Sequence, residues 1–192
     1  MSDVLKLLEK AEGVLKGHFC LTSGLHSDMY FQCAKLYQYP DITEEIGKMM
    51  AQNLKGVEFD TIIAPAVGAV IIGYETAKQC KKRNLFVERK DGVMQLRRGY
   101  TLKKGERVVI IEDVITTART IRETQEAIKE FEPEVVAVGC IVDRTDGKTE
   151  FNIKSLMQMS PVVYDPNDCP LCKAGIPLVK PGSRGNEAKT NA

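Results

Sequence analysis

The stretch VVIIEDVITTART, residues 108–120, decides the fold of this 192-residue chain. Four branched apolar residues, typical of a strand buried in a sheet, run directly into two acidic side chains, Glu112 and Asp113. A hydroxyl-rich turn follows, and residues 117–132 have the pattern of a helix that ends before Pro133. The order strand, acidic pair, turn and helix predicts a binding site at the end of a buried strand.

The same alternation of strand and helix recurs on both sides of this stretch. Residues 59–80 predict a strand, a Pro/Gly turn and a helix, residues 84–90 a second strand, and residues 134–144 a further one. Strands that alternate with helices of this length form a parallel sheet covered on both faces. The sequence therefore predicts an α/β fold.

The remaining segments are predicted as peripheral elements. Residues 3–16 predict an amphipathic helix, residues 18–36 a mixed, turn-rich segment, and residues 41–56 a helix that opens at Asp41. Residues 91–106 are polar and basic and predict an exposed loop or hairpin.

Composition excludes several classes of protein. The chain is 43% hydrophobic and 28% charged, enough for a sizeable core in one domain, and its net charge of +1 gives no reason to expect nucleic acid or a membrane surface as a partner. No apolar run approaches the roughly 20 residues of a membrane helix, and the charged N-terminus is unlike a signal peptide. We expect a cytoplasmic protein with its cysteines reduced.

Polar chemistry follows three of the predicted strands. APAVGA (64–69), EDVITTART (112–120) and DRTDG (143–147) each come directly after a strand. In parallel sheets the carboxyl ends of the strands meet at one edge, where ligands bind. We therefore expect these three segments to form one site.

The acidic pair and the turn after it favour a particular ligand. Glu112 and Asp113 could accept the vicinal hydroxyls of a ribose, hold a metal ion, or simply be solvated. The first N–H groups of the following helix, together with the hydroxyls of Thr116, Thr117 and Thr120, could cradle a phosphate. Ribose followed by phosphate indicates a ribose 5-phosphate group, and the alternative is a threonine-rich helix cap without a ligand.

Four stretches in the same order resemble a known family. VVIIEDVITTART resembles the signature of type I phosphoribosyltransferases, which use phosphoribosyl pyrophosphate (PRPP). GHFCLTSGLHSDMYFQCAKL resembles the N-terminal segment of the orotate phosphoribosyltransferase family, and VERKDGVMQLRRGY its mobile-loop region. DCPLCKAGIPLVKPGSR resembles the end of one bacterial and archaeal branch, so the likeness spans nearly the whole chain.

The resemblance implies a fold and a reaction. Residues 1–185 would form one domain of the type I phosphoribosyltransferase fold, with a small hood built mainly from residues 1–36 and the C-terminal segment, and residues 186–192 a disordered tail. The reaction would join orotate and PRPP to give orotidine 5′-monophosphate and pyrophosphate, a step of pyrimidine nucleotide synthesis. It also implies a homodimer, and Mg²⁺ carried on the diphosphate without direct protein ligands.

The resemblance assigns roles by position. Asp113 and Lys90 are the expected catalytic residues, and PAVGA (65–69) matches the pyrophosphate loop. The expected PRPP contacts are Arg89, Lys90, Glu112, Asp113, Val114, Ile115, Thr116, Thr117, Ala118, Arg119 and Thr120. The expected orotate contacts are Thr116, Arg144, Tyr30 and Phe31, with Arg144 suited to the orotate carboxylate.

Each of these residues also has an ordinary structural interpretation. Tyr30 and Phe31 could be core aromatics, and the charged run at Arg89 and Lys90 could be solvated surface. Arg144 could pair with the neighbouring Asp143. Further basic residues could belong to the mobile loop, namely Arg97 and Arg98 and, with weaker support, Lys103 and Lys104.

The chain departs from the family pattern in both phosphate loops. Ala118 stands where glycine is usual and Arg119 where a small residue is usual, and Ala69 replaces a glycine of the pyrophosphate loop. Alanine is harmless where the backbone has ordinary helical angles, as we expect for first-turn residues. Arg119 has three possible positions: on the phosphate, in solvent, or inside the cradle.

The pair Cys169 and Cys172 forms a lone CxxC motif. A structural zinc site needs four ligands, and neither His18 nor His26 is near this pair in sequence. Local packing is therefore favoured over a metal site or a redox role.

Three functions remain open on the sequence alone. The acidic pair and Arg144 favour an active orotate phosphoribosyltransferase, whereas Ala69, Ala118 and Arg119 favour a non-catalytic relative that senses a nucleotide or nucleobase. The third is a transferase for another base, against which Arg144 and the N-terminal segment argue.

Overall fold

A central six-stranded sheet organises the molecule, for which a computed structural model describes residues 3–21, 23–159 and 162–181. Its strand order is β5-β4-β3-β6-β7-β8, and all neighbours are parallel except β4 and β5. The strands are β3 (Thr61–Pro65), β4 (Arg83–Lys90), β5 (Val93–Leu96), β6 (Arg107–Ile115), β7 (Glu134–Asp143) and β8 (Ile153–Gln158). The predicted parallel α/β sheet is thus confirmed.

Helices cover both faces of this sheet because its central strands are apolar on both faces. Val109 and Ile111 of β6 pack in one core cluster with α1 (Asp3–Lys10), α2 (Pro40–Asn53) and α3 (Val70–Cys80). Ile110, which alternates with them, faces α4 (Arg119–Ile128) on the other side. The resulting layers leave the carboxyl edge of the sheet free for a site.

Glycine allows α3 to lie close to the sheet. A Cβ at Gly73 would lie 2.6 Å from the Cβ of Ala64 on β3, so only glycine fits between the helix and the strand. This close approach holds the β3–α3 loop, residues 66–69, directly over the end of β3.

A second, antiparallel sheet forms the hood. It consists of β1 (Val14–Cys20), β2 (His26–Phe31) and the short β9 (Val163–Tyr164), with β2 in the middle. The C-terminal segment, which contains α5 (Pro170–Lys173), joins the free edge of β1 through Val179, whose N–H donates to His18 O at 2.8 Å. The C-terminal segment thus lies against this sheet.

The predicted elements differ from the observed ones at a few places. The first helix ends at Lys10 rather than residue 16, because Glu12 has a positive φ of 55° and the chain then enters β1. The strand β8 was not predicted, whereas β5 confirms a hairpin in the segment 91–106. The predicted tail, 186–192, lies outside the described residues.

Among the described residues, no helix has the length and apolar character that crossing a membrane would require.

Candidate active site

Four strand ends converge at the carboxyl edge of the sheet. The loop after β3, the end of β4 and the turns after β6 and β7 lie side by side because these strands are parallel neighbours. A Cβ at Gly68 would lie only 2.8 Å from Asp113 Oδ2, and Arg144 N–H donates to Ile115 O at 2.8 Å. The predicted convergence of three segments is confirmed, and β4 adds Arg89 and Lys90 as a fourth.

Glu112 and Asp113 form a tightly coupled carboxyl pair at the end of β6. Glu112 is buried and Asp113 half-buried, and their carboxylates accept the nearest backbone N–H groups, of Asp113 at 3.1 Å and Val114 at 2.7 Å respectively. Burial raises the pKa of the Glu112 carboxyl well above its usual range, and the neighbouring Asp113 charge raises it further. Burial also raises the pKa of Asp113. Each carboxylate thus accepts one backbone N–H and keeps further lone pairs that can accept from a ligand.

A recess at the start of α4 adjoins the carboxyl pair. It is lined by Glu112, Val114, Ile115, Thr116, Thr117, Ala118, Arg119, Thr120 and Ile121. Thr116 and Thr117 are exposed, and the N-cap residue Ala118 offers no side-chain oxygen, so the first N–H groups of α4 are available to a ligand. The whole predicted phosphate segment therefore surrounds one concave surface.

Arg122 supports this recess from outside and was not predicted. Its Nη1 donates to Thr117 O at 2.9 Å, while its Nε and Nη2 bind Glu150 at 2.7 Å each. The hydrogen bonds from Arg122 lower the pKa of Glu150 to about 2. Arg122, which lies outside the stretch 108–120, thus holds the Thr117 carbonyl in place. Arg122 and Glu150 are distant in sequence and meet only in the folded chain.

The two alanines that replace family glycines differ in backbone conformation. Ala69 has φ −93° and ψ −8°, so the expectation of ordinary angles is confirmed there. Ala118 has φ 54° and ψ 16°, in the left-handed region, so the same expectation is wrong for this residue. The chain reverses direction between β6 and α4 at Ala118. The backbone of this residue has a conformation that favours glycine, although its methyl group is buried.

Arg119 lies along the surface of α4 rather than inside the recess. Its side chain is 72% exposed, and its Nε donates to Glu123 Oε1 at 2.9 Å. Arg89 of β4 binds the other oxygen of Glu123. Burial acts to raise the pKa of Glu123, but the hydrogen bonds from both arginines outweigh it and the pKa is lowered. Of the three positions open for Arg119, the structure therefore supports the solvent-exposed one.

Arg144 presents an unpartnered donor to the site. Its Nε is buried without a hydrogen-bond partner among the described residues, and burial lowers its pKa. The neighbouring Asp143 does not form the ion pair considered from sequence, because its Oδ1 accepts from Thr145 N at 2.9 Å. Arg144 is therefore free to bind an anion.

Tyr30 faces the same site, whereas Phe31 does not. Burial raises the pKa of the half-buried Tyr30 and the Asp113 charge raises it further, while Arg144 lowers it, which places Tyr30 near both groups. Phe31 points to the opposite side of β2 and is only 3% exposed in the main core. The structure thus favours the core interpretation for Phe31 and a site position for Tyr30.

Tyr37 is a further residue near the site that the sequence analysis missed. It lies in a 3₁₀ turn (Cys33–Gln38), and its buried hydroxyl has no partner among the described residues. Burial raises its pKa well above the usual range, and the charge of Asp113 raises it further. Only the fold brings this residue near the carboxyl pair.

The other basic candidates are placed differently. Lys90 is exposed at the end of β4, beside the site. Arg97 and Arg98 both bind Glu88, at 3.2 and 2.9 Å. Lys104 pairs with Glu132 near the start of β6, at the opposite edge of the sheet, so Lys103 and Lys104 lie outside this site.

The CxxC motif is not isolated in the fold. Its thiols lie beside His18 and His26 of the hood, with all four ligating atoms within 4.8 Å of one another. His18 and His26 are distant from the motif in sequence, and the fold brings the hairpin β1–β2 against the C-terminal segment, so distance along the chain did not reveal this grouping.

Known proteins are similar over most of the chain. Residues 32–166 match the phosphoribosyl transferase domain. The orotate phosphoribosyltransferase of Caldanaerobacter subterraneus subsp. tengcongensis is 49% identical over 183 residues, covering 94% of this chain and 96% of that protein. That of Thermotoga maritima is 47% identical, covering 95% of this chain and 98% of that protein.

Solved structures agree with the fold described above. The orotate phosphoribosyltransferase of Aeropyrum pernix superposes with a TM-score of 0.72 at 22% identity, covering 81% of this chain and 93% of that one, a likeness that concerns the fold alone. The two relatives found by sequence match nearly the full length of this chain at 47–49% identity, so they show the family as well as the fold. The chain therefore belongs to the phosphoribosyl transferase domain family and, within it, to the orotate phosphoribosyltransferases.

Proposed function

We propose that this chain transfers ribose 5-phosphate from PRPP to orotate, giving orotidine 5′-monophosphate and pyrophosphate. The single observation that carries the proposal is the pair of the buried Glu112 and the half-buried Asp113 beside the recess at the start of α4, with the unpartnered Nε of Arg144 directly after the adjoining strand β7. The full-length relatives named orotate phosphoribosyltransferase support it.

The carboxyl pair is suited to orienting the ribose. The 2′- and 3′-hydroxyls are donors, and each carboxylate, which accepts one backbone N–H, has lone pairs left to accept them. Accepting both hydroxyls would fix the sugar relative to the attacking base, which contributes through orientation. Asp113 next to Gly68 would also stabilise positive charge that develops at the ribose C1 in an oxocarbenium-like transition state.

The turn after β6 is suited to the 5′-phosphate. The open N–H groups at the start of α4 lie at the positive end of the helix dipole, and the hydroxyls of Thr116, Thr117 and Thr120 add donors. Arg119 is exposed and bound to Glu123, so it leaves the recess open to the phosphate.

The base would bind between the sheet edge and the hood. Arg144 carries a buried donor without a partner, which the orotate carboxylate would satisfy by a bidentate contact. Tyr30 of β2 lies near Arg144 and could cover the pyrimidine ring. Thr116 borders the same space at the end of β6.

The diphosphate would lie towards β3 and β4. Gly68 of the loop 66–69 lies against Asp113, and Arg89 and Lys90 lie at the end of β4, next to β3. Among the described residues the exposed Lys90 forms no ion pair, so it is available to a ligand. The two carboxylates are hard oxygen acceptors suited to the water ligands of a Mg²⁺ held on the diphosphate. When bound, Mg²⁺ would neutralise charge on the departing pyrophosphate.

A homodimer in the cytoplasm is part of the proposal. The outer face of α3 exposes Ile71 and Tyr74, and with Phe86 and Tyr100 these line an apolar groove suited to a second copy of the chain. All six cysteines are free thiols, a state that the reducing cytoplasm maintains.

A turnover assay with three bases tests this function. Purified protein, PRPP and Mg²⁺ are mixed with orotate, uracil or adenine, and product formation is followed by chromatography. We expect product with orotate and none with uracil or adenine, because only orotate has a carboxylate that can pair with Arg144. Turnover of uracil or adenine in preference to orotate would contradict the base assignment, and binding of PRPP without turnover of any base would indicate a sensor.

A further inference from the structure

Four potential metal ligands meet in the hood, away from the carboxyl pair. His18 of β1, His26 of β2 and the two cysteines of the CxxC motif place one nitrogen or sulfur atom each within 4.8 Å of all the others. His18, His26 and Cys169 are buried, and Cys172 is exposed. Two histidines and two cysteines are a common ligand set of structural zinc sites.

Three of the distances between these atoms match those of a tetrahedral ion. His18 Nε2 lies 3.5 Å from Cys169 Sγ and 3.6 Å from Cys172 Sγ, and Cys172 Sγ lies 3.3 Å from His26 Nδ1. With Zn–N near about 2.0 Å and Zn–S near about 2.3 Å, tetrahedral ligands lie roughly 3.3–3.8 Å apart. The two imidazole nitrogens, at 2.9 Å, need to separate by only a few tenths of an ångström.

The hydrogen bond of His18 Nδ1 sets the tautomer of the ring and leaves Nε2 able to bind a metal. Nδ1 lies 2.8 Å from the carbonyl oxygen of Ile176, so it carries the hydrogen and donates. In the neutral imidazole Nε2 then has a lone pair directed at the other three groups. Metal-bound histidines usually make such an outer hydrogen bond to a carbonyl or carboxylate.

The C-terminal segment needs an anchor that apolar packing does not supply. Among residues 162–181, only Cys169 is buried, and Ile176 and Leu178 are more than two-fifths exposed. Cys169 is the N-cap residue of α5 and Cys172 lies within that helix, three residues on, so both sulfurs lie beside the hairpin β1–β2. A bound metal would join this segment to the hood and add the stabilisation that small, poorly packed units obtain from metals.

We propose that His18, His26, Cys169 and Cys172 form a structural zinc site that fastens the C-terminal segment to the hood of the active site. Two thiolates would balance the charge of Zn²⁺, which suits a largely buried position. His26 lies four residues before Tyr30 on β2, so the site would also fix the strand that carries Tyr30. This proposal is independent of the transferase activity.

Metal analysis of the full-length, untagged protein tests the site. The protein is expressed with zinc in the medium, purified without chelator, and assayed by elemental mass spectrometry. We expect one zinc per chain in the wild type and in Cys80→Ser, which changes a thiol far from the cluster in sequence, and loss of most of the zinc in the double variant Cys169→Ser/Cys172→Ser. Glu112→Gln should retain its zinc, which separates this site from the carboxyl pair.

Cobalt substitution identifies the ligands directly and does not depend on enzyme activity. Co²⁺ added to the zinc-free protein should give thiolate-to-cobalt charge-transfer bands and the visible bands of a tetrahedral ion, and both should disappear in Cys172→Ser. Removal of zinc should lower the melting temperature and increase hydrogen exchange in residues 163–181. A wild type without zinc or cobalt binding, with Cys169 and Cys172 free or joined in a disulfide, would overturn the proposal, as would full zinc content in the double variant.

Discussion

At the scale of single residues, burial makes the carboxyl pair near the end of β6 costly to ionise. Glu112 and Asp113 are adjacent acids in a buried position, and burial raises the pKa of both. A carboxyl whose pKa is higher in the folded than in the unfolded chain binds more protons when folded. Its contribution to stability therefore falls as the pH rises from the unfolded pKa, about 4.3 for Glu, through the folded pKa.

The pair predicts a pH-dependent gain in stability for Glu112→Gln. We expect the variant to unfold at higher urea concentration than the wild type at neutral pH, with the difference vanishing in acid, because glutamine is neutral at every pH. Urea unfolding over a pH series measures this. Glu150→Gln is the control, and we expect it to unfold at lower urea concentration than the wild type at neutral pH. Arg122 lowers the Glu150 pKa to about 2, so the charged carboxylate stabilises the fold above the unfolded pKa, and this stabilisation is lost as the pH falls towards the folded pKa. An unfolding midpoint of Glu112→Gln that equals the wild type at neutral pH would contradict the account.

The left-handed conformation of Ala118 predicts that glycine is better there. A non-glycine residue in this region of backbone angles destabilises the fold by about 1–2 kcal/mol. Replacing alanine by glycine removes this strain but also loses a buried methyl group, which offsets up to about 0.8 kcal/mol of the gain. We expect Ala118→Gly to raise the free energy of unfolding by up to about 1 kcal/mol. Ala69→Gly is the matched control, with ordinary angles, and should lower it by roughly 0.5–1 kcal/mol. Equal effects of the two substitutions would exclude backbone strain as the cause.

At the scale of secondary structure, the turn between β6 and α4 depends on a contact outside its own sequence. Arg122 on α4 holds the carbonyl of Thr117 and is itself held by Glu150, beyond β7. The turn is therefore fixed by two elements that are distant in sequence, which explains how it can keep its shape with alanine in a strained position.

Loss of this contact is expected to weaken PRPP binding. In Arg122→Ala the turn loses a charged hydrogen bond to Thr117, and because Arg122 is half-exposed we expect a cost of about 1 kcal/mol. That corresponds to a roughly fivefold rise in the KM for PRPP, with the KM for orotate little changed. Steady-state kinetics measure both constants, and Arg107→Ala, which removes ion pairs at the opposite edge of the sheet, is the control. A rise confined to the orotate KM would show that Arg122 acts elsewhere.

The elements also show what a sequence can and cannot predict. The buried strand ending in Glu112 and Asp113 was predictable, because apolar runs and strand-end acids are local patterns and parallel strands end at one edge. The end of α1, the strand β8 and the backbone angle of Ala118 were not, since they depend on packing between elements. Arg122, Tyr37 and the grouping of His18 and His26 with Cys169 and Cys172 require contacts across the fold.

At the scale of the whole molecule, the exposed face of α3 predicts the association of two chains. Tyr74 is 59% exposed and Ile71 45% exposed on this face, and with Phe86 and Tyr100 they line one continuous groove, whereas isolated exposed apolar residues are common. We expect light scattering after gel filtration to give about twice the chain mass of 21.3 kDa for the wild type, and one chain mass for Tyr74→Glu. Tyr39→Glu, an exposed tyrosine outside α3, should remain dimeric. A monomeric wild type would contradict the dimer.

The central claim concerns the site as a whole: the carboxyl pair and the turn after β6 bind PRPP for transfer to orotate. The most direct measurement is formation of orotidine 5′-monophosphate from orotate, PRPP and Mg²⁺ by the wild type and by Asp113→Asn, which keeps the shape of the side chain but removes its charge. We predict turnover by the wild type and a loss of at least about a hundredfold in Asp113→Asn, comparable to removal of one electrostatic contact in a transition state. Wild-type turnover that Asp113→Asn leaves unchanged, or a folded wild type without turnover, would contradict the account.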